Sequence, residues 1–117
     1  MQKNGFKDLI VWQKAMLIVK LTYELCDELP KTEEFRIVSQ MIRAAISIPS
    51  NIAEGWSRNR KAELVRFFEF SYSSSCELET QILICKDRYP KTHTETILML
   101  ILEVQKMLST LIKNNQV

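Results

Sequence analysis

Four long segments with the hydrophobic spacing of α-helices fill almost all of this sequence. They run from about residue 8 to 28, 33 to 54, 60 to 87 and 95 to 113, and short breaks at Pro30, Gly55 and Pro90 separate them. The chain has only two glycines and three prolines, too few for the many tight turns of a sandwich or barrel. This pattern predicts an all-α fold, an up-down-up-down four-helix bundle, in a single domain over residues 1–117.

The second segment contains the most specific signals for backbone shape. Pro49 removes one backbone hydrogen bond, to the carbonyl of Ala45, and therefore predicts a kinked second helix. Ser50 and Asn51 lie beside this position and have side chains that can donate to a freed carbonyl. Gly55 is expected at the position just after the helix, where glycine is the preferred residue.

Polar side chains line one side of the second segment. At helical spacing this stripe contains Arg43, Ser47, Asn51 and Glu54, and Glu77 on the third segment lies level with it beside a run of serines. We expect these residues to form a structural polar centre in which Arg43 and Glu77 pair across the bundle and fix the register of the helices. A polar centre that binds a ligand is the alternative interpretation.

Positive charge is concentrated in the middle of the chain. The formal net charge is +2, yet residues 36–66 hold six basic residues against two acidic ones, a local net charge of +4. Arg58, Arg60, Lys61 and Arg66 form a cluster at the turn before the third helix and in its first turns. This cluster is either a solvated helix end or a patch that contacts nucleic-acid phosphates. A helix-turn-helix is disfavoured, because the third segment is too long and too apolar for a free recognition helix.

The first and fourth segments are more apolar than one buried face requires. A single buried helix face needs an apolar stripe of about 100°. The apolar residues of the fourth segment extend over about two-thirds of its circumference, a fraction estimated from the helical repeat. Large apolar surfaces of this kind mark interfaces, so we predict a homo-oligomer.

The sequence contains none of the motifs that enzymes of comparable fold require. His93 is the only histidine, it is predicted to lie in a loop, and no Glu-x-x-His pair or glycine-rich phosphate loop is present. The three cysteines lack metal-binding spacing and are expected to be small apolar core residues. We therefore predict no catalytic residues, no metal, no cofactor and no small-molecule substrate. A polar start and the lack of a run of ~20 apolar residues predict a cytoplasmic protein without a membrane span.

Three stretches of the chain resemble a known bacterial family. They are Trp12-Gln-Lys-Ala15, the run Gln40-Met-Ile-Arg-Ala-Ala-Ile-Ser-Ile-Pro-Ser-Asn-Ile-Ala-Glu-Gly55, and Glu77-Leu-Glu-Thr80. The family is typified by the protein encoded in intervening sequences of 23S ribosomal RNA genes. It is also similar to the accessory protein of diversity-generating retroelements, a basic pentamer that binds a reverse transcriptase and nucleic acid. Ser73 stands where the family often has glycine.

The resemblance implies a four-helix protomer that assembles into a ring-like homopentamer without enzymatic activity. Combined with the basic cluster, it leads us to expect a scaffold that binds RNA or a ribonucleoprotein. The alternative is a structural or protein-binding adaptor, for example for a nucleic-acid enzyme, with no nucleic-acid role of its own.

Overall fold

The computed structural model describes residues 4–116, and four α-helices make up most of them. Helix α1 comprises Ile10–Asp27, α2 Ser39–Trp56, α3 Lys61–Arg88 and α4 Glu95–Asn115. A 3-10 turn, Phe6–Asp8, precedes α1, and the turns Lys31–Glu33 and Glu34–Val38 connect α1 to α2. Residues 4–116 contain no β-strand. The prediction of an all-helical fold is therefore confirmed.

The four helices pack around one apolar core. Each helix contacts the next one along the chain, and α1 contacts α4, which closes a bundle of 49 × 21 × 21 Å. Buried side chains recur every three or four residues, as the sequence pattern predicts. On α4, for example, they are Ile97, Ile101, Val104 and Leu108. The assembly of such bundles into a ring stays a prediction, since one chain is described.

The second helical segment predicted from the sequence is irregular at its start, in the turn before α2. Arg36 has non-helical backbone angles (φ −112°, ψ −109°) within the π-helical turn Glu34–Val38. Pro49, by contrast, lies inside α2, which continues without a break. Ser50 Oγ donates to the Ile46 carbonyl at 2.8 Å and Asn51 Nδ2 donates to a carbonyl one residue later. The side chains around Pro49 thus bond neighbouring carbonyls of the helix.

Gly55 has a different role from the predicted one. It lies within α2, whose last residue is Trp56, and it does not have a positive φ. A Cβ atom at this position would lie 2.8 Å from the Phe67 Cβ and 3.1 Å from the Phe68 Cδ1. The expectation that Gly55 follows the helix as its cap is therefore wrong. Glycine is needed here because α2 and α3 approach too closely for a side chain.

We expect Gly55→Val to destabilise the protein by about 1–3 kcal/mol, because the added methyl groups overpack the contact with Phe67. Urea denaturation followed by circular dichroism measures the loss. Gly5→Val is the matched control, since no atom lies within 4 Å of a Cβ at Gly5. Equal stability of the two variants would show that α3 yields to the larger side chain at no cost.

Candidate nucleic-acid interface

Short hydroxyl and amide side chains join α2 to α3 in the middle of the bundle. The hydroxyls of Ser47 and Ser74 are 2.7 Å apart, and Asn51 Nδ2 donates to the Ser47 Oγ at 2.9 Å. Ser71, which is fully buried, donates to the Ile48 carbonyl at 2.9 Å. Asn51 therefore bonds within α2, whereas Ser47 of the predicted polar centre meets the serine run of α3. These side chains form a small hydrogen-bonded group between closely packed helices.

The predicted ion pair between Arg43 and Glu77 is wrong. Both residues are exposed, and the ion pairs within residues 4–116 do not include one between them. Both side chains face solvent, and the short side chains of Ser47 and Ser74 make a polar contact between α2 and α3 in their place. Glu54 is also exposed and forms an ion pair with Arg58 at 2.8 Å. The charged members of the predicted centre thus lie at the surface.

Arg43→Ala should consequently change the free energy of unfolding by no more than about 0.5 kcal/mol, as for an ordinary surface position. Ser71→Ala is the contrasting variant, since it removes a hydrogen bond from the buried interface and should cost about 1 kcal/mol. Thermal melting of both variants tests this difference. A loss of several kcal/mol for Arg43→Ala would mean that its guanidinium has a buried partner after all.

The predicted basic cluster lies beside two phenylalanines at the junction of α2 and α3. The guanidinium carbon of Arg58 lies 4.8 Å from the centre of the Phe67 ring, and that of Arg66 lies 5.4 Å from the centre of the Phe70 ring. Both distances are typical of cation–π contacts. The two rings meet edge to face, with centres 5.8 Å apart. We give the name basic–aromatic surface to these four residues and to Arg60 and Lys61, which are exposed at the start of α3.

Only one basic side chain of this surface, that of Arg58, forms an ion pair with a carboxylate in residues 4–116. Arg58 pairs with Glu54, whose side chain is 52% exposed, so water screens that pair. Arg60, Lys61 and Arg66 are exposed, and within residues 4–116 no carboxylate forms an ion pair with them. Arg60 and Lys61 also lie at the start of the 28-residue helix α3, where the helix dipole favours anions. The arrangement suits phosphate groups and flat aromatic ligands.

The basic residues of this surface were predicted from the sequence, but their aromatic partners were not. Phe67 is half-buried and Phe70 is exposed. The spacing of Arg66 and Phe70, four residues apart on a helix, was the available signal. No comparable spacing joins Arg58 to Phe67, because the turn between α2 and α3 separates them.

The remaining reactive side chains within residues 4–116 include the three cysteines and His93. No cluster of three or more His, Cys, Asp or Glu residues in the described part of the chain could hold a metal ion. Cys26 and Cys85 are buried, and burial, with a smaller effect from Cys85 and Asp27, raises the pKa of Cys26 to about 11. Cys76 is exposed, so the expectation of a core role is wrong for that cysteine. His93 lies between α3 and α4, as predicted.

The fold of residues 4–116 places this protein in the class of all-helical, four-helix bundle proteins. The chain belongs to the 23S rRNA-intervening sequence protein family, whose family model matches residues 7–110. The match therefore spans all four helices except the last residues of α4.

A solved structure supports the same fold. This chain is similar to the crystal structure of a protein of unknown function from the S23 ribosomal protein family of Bacteroides thetaiotaomicron, with a TM-score of 0.80 and 22% sequence identity. The alignment covers 89% of this chain and 99% of the other. No curated protein matches the sequence. In residues 4–116, none of the helices has both the length and the apolar character needed to cross a membrane.

Proposed function

We propose that this protein is a non-enzymatic, cytoplasmic homo-oligomer that binds RNA or a ribonucleoprotein through the basic–aromatic surface. The observation that carries this proposal is the contact of two guanidinium groups, those of Arg58 and Arg66, with phenylalanine rings. Arg60 and Lys61 add exposed positive charge at the start of the same helix, α3. Phosphates provide the charge that these side chains attract, and bases provide flat rings.

Exposed apolar side chains on α1 and α4 support self-association. Ile10 is 59% exposed, Leu17 42%, Met99 66% and Leu102 51% in the single chain. Covering these side chains with a second copy removes apolar surface from water and stabilises an assembly. A homopentameric ring, the assembly that the family resemblance implies, would bring five basic–aromatic surfaces into one particle.

Two measurements on the unmodified protein test the proposal. Light scattering should give about 68 kDa, five times the 13.7 kDa of one chain, rather than the mass of a monomer. Fluorescence anisotropy should show RNA binding that weakens steeply between about 50 and 200 mM salt, because phosphate contacts release counterions. A monomer in the first measurement, or salt-independent binding in the second, would contradict the corresponding half of the proposal.

A protein-binding adaptor is the second candidate function. An apolar groove of about 550 Å³ lies between the start of α1 and the end of α4. Its lining includes Leu9, Ile10, Val11, Met107 and Leu111. A groove of this composition suits an apolar protein segment better than a nucleic acid. Assembly to the expected mass without any RNA binding would favour the adaptor over the RNA scaffold.

A further inference from the structure

We infer that the nucleic acid bound by the basic–aromatic surface is single-stranded, and that an unpaired base stacks on Phe70. This inference rests on the proposed function, because it specifies the ligand of the same surface. It goes beyond charge, since phosphates alone would be attracted equally well by basic residues without aromatic neighbours.

The position of Phe70 is the first argument. Its side chain is 43% exposed, whereas Phe68, two residues earlier on α3, is completely buried. Leaving an aromatic ring in water forgoes the stabilisation that burial of its apolar surface would provide. Phe70 therefore contributes less to the core than Phe68 does, and part of its ring faces solvent in the single chain.

The neighbours of Phe70 supply the second argument, because they hold the ring and place charge beside it. Phe67 supports it edge to face, with an interplanar angle of 90°, and Arg66 lies against it at 5.4 Å. Arg58 in turn lies against Phe67 at 4.8 Å. Aromatic rings with adjacent cations are the combination that single-strand binding proteins use, the rings for bases and the cations for the backbone.

The geometry of nucleic acids supplies the third argument. In double-stranded RNA the bases stack on one another, and the deep, narrow major groove and shallow minor groove expose only their edges. A ring on a rigid helix cannot stack on a base inside such a duplex. Use of Phe70 therefore requires a base that is unpaired, as in a loop, a bulge or a single strand.

The test compares three fluorescent probes by anisotropy. One is an oligouridine of about 12 nucleotides, a length within the range that single-strand binding folds cover. The others are a duplex with the same number of phosphates per strand and an abasic strand that has the phosphates without the bases. We expect the oligouridine to bind most tightly, because only its bases can stack on Phe70.

Substitutions at Phe70 separate stacking from charge. Phe70→Leu keeps an apolar side chain but removes the ring, and should weaken oligouridine binding about 5- to 100-fold with an unchanged salt dependence. Phe70→Trp should retain tight binding, since indole also stacks. Phe35→Leu is the matched control, because Phe35 is a more exposed phenylalanine, at 89%, that precedes α2. Light scattering checks that all variants keep the mass of the unmodified protein.

The possible results distinguish this inference from the proposed function. Equal binding of the oligouridine, the duplex and the abasic strand, or unchanged binding by Phe70→Leu, would overturn stacking while leaving a phosphate-binding surface. A changed mass of Phe70→Leu would also overturn it, by assigning Phe70 to contacts between copies. If none of the probes binds to the unmodified protein, both the inference and the RNA-binding function are wrong.

Discussion

Arg60→Glu combined with Lys61→Glu should weaken RNA binding about a hundredfold at ~50 mM salt, since each lost phosphate contact with a single strand contributes about one power of ten under those conditions. Both residues are exposed at the start of α3, so the bundle should fold normally. The salt dependence should become shallower by about 1.4 in the log–log slope. Anisotropy titrations at two salt concentrations measure both quantities.

A control with the same change in net charge makes this result specific. Lys86→Glu combined with Lys91→Glu reverses two exposed lysines at the end of α3 and just after it, far from Arg60 and Lys61 at its start. We expect this control to weaken binding much less, through the overall charge alone. Similar losses for the two double variants would mean that RNA responds to net charge, and the cluster at α3 would then be a solvated helix end.

Phe68→Ala should destabilise the protein by about 3–5 kcal/mol, the cost of removing a large aromatic side chain from a packed core. Phe68 is fully buried, and its Cδ1 lies within contact distance of the Gly55 position on α2. The substitution therefore leaves a cavity at the α2–α3 contact that supports the basic–aromatic surface. Urea denaturation measures the loss in free energy of unfolding.

Phe35→Ala provides the comparison, because that side chain is 89% exposed in one chain. Its expected effect is about 0.5 kcal/mol or less. A small effect of Phe68→Ala would mean that the core collapses around the missing ring, and a large effect of Phe35→Ala would reveal a partner that covers it.

Helix boundaries were predicted well where the sequence alone determines them. Helix α3 begins at Lys61 and α4 at Glu95, each within one residue of the expected start, because apolar spacing and Pro90 mark these segments clearly. The start of the second helix was wrong, since regular helix begins only at Ser39. Glu33 explains part of this difference, because it is buried and accepts a 2.6 Å hydrogen bond from the Tyr89 hydroxyl. A contact between residues 56 positions apart leaves no local signal.

The residues of the candidate site were predicted only in part, because some of their contacts also leave no signal in the sequence. Charge is visible in the sequence, so Arg58, Arg60, Lys61 and Arg66 were identified without a structure. The direction in which a side chain leaves its helix depends on how closely two helices pack, which periodicity does not determine. Arg43 was expected to point inwards because helical spacing places it in line with Ser47, whereas its side chain is exposed.

The order in which the helices contact one another also has a kinetic consequence. Contacts of α1 with α2, α2 with α3 and α3 with α4 all join helices that are adjacent in the chain. Within residues 4–116, the packing of α1 against α4 is the main helix–helix contact that does not. Chains dominated by local contacts lose little entropy before each contact forms. Such topologies fold in microseconds to milliseconds, so each protomer should reach its folded state before it meets another copy.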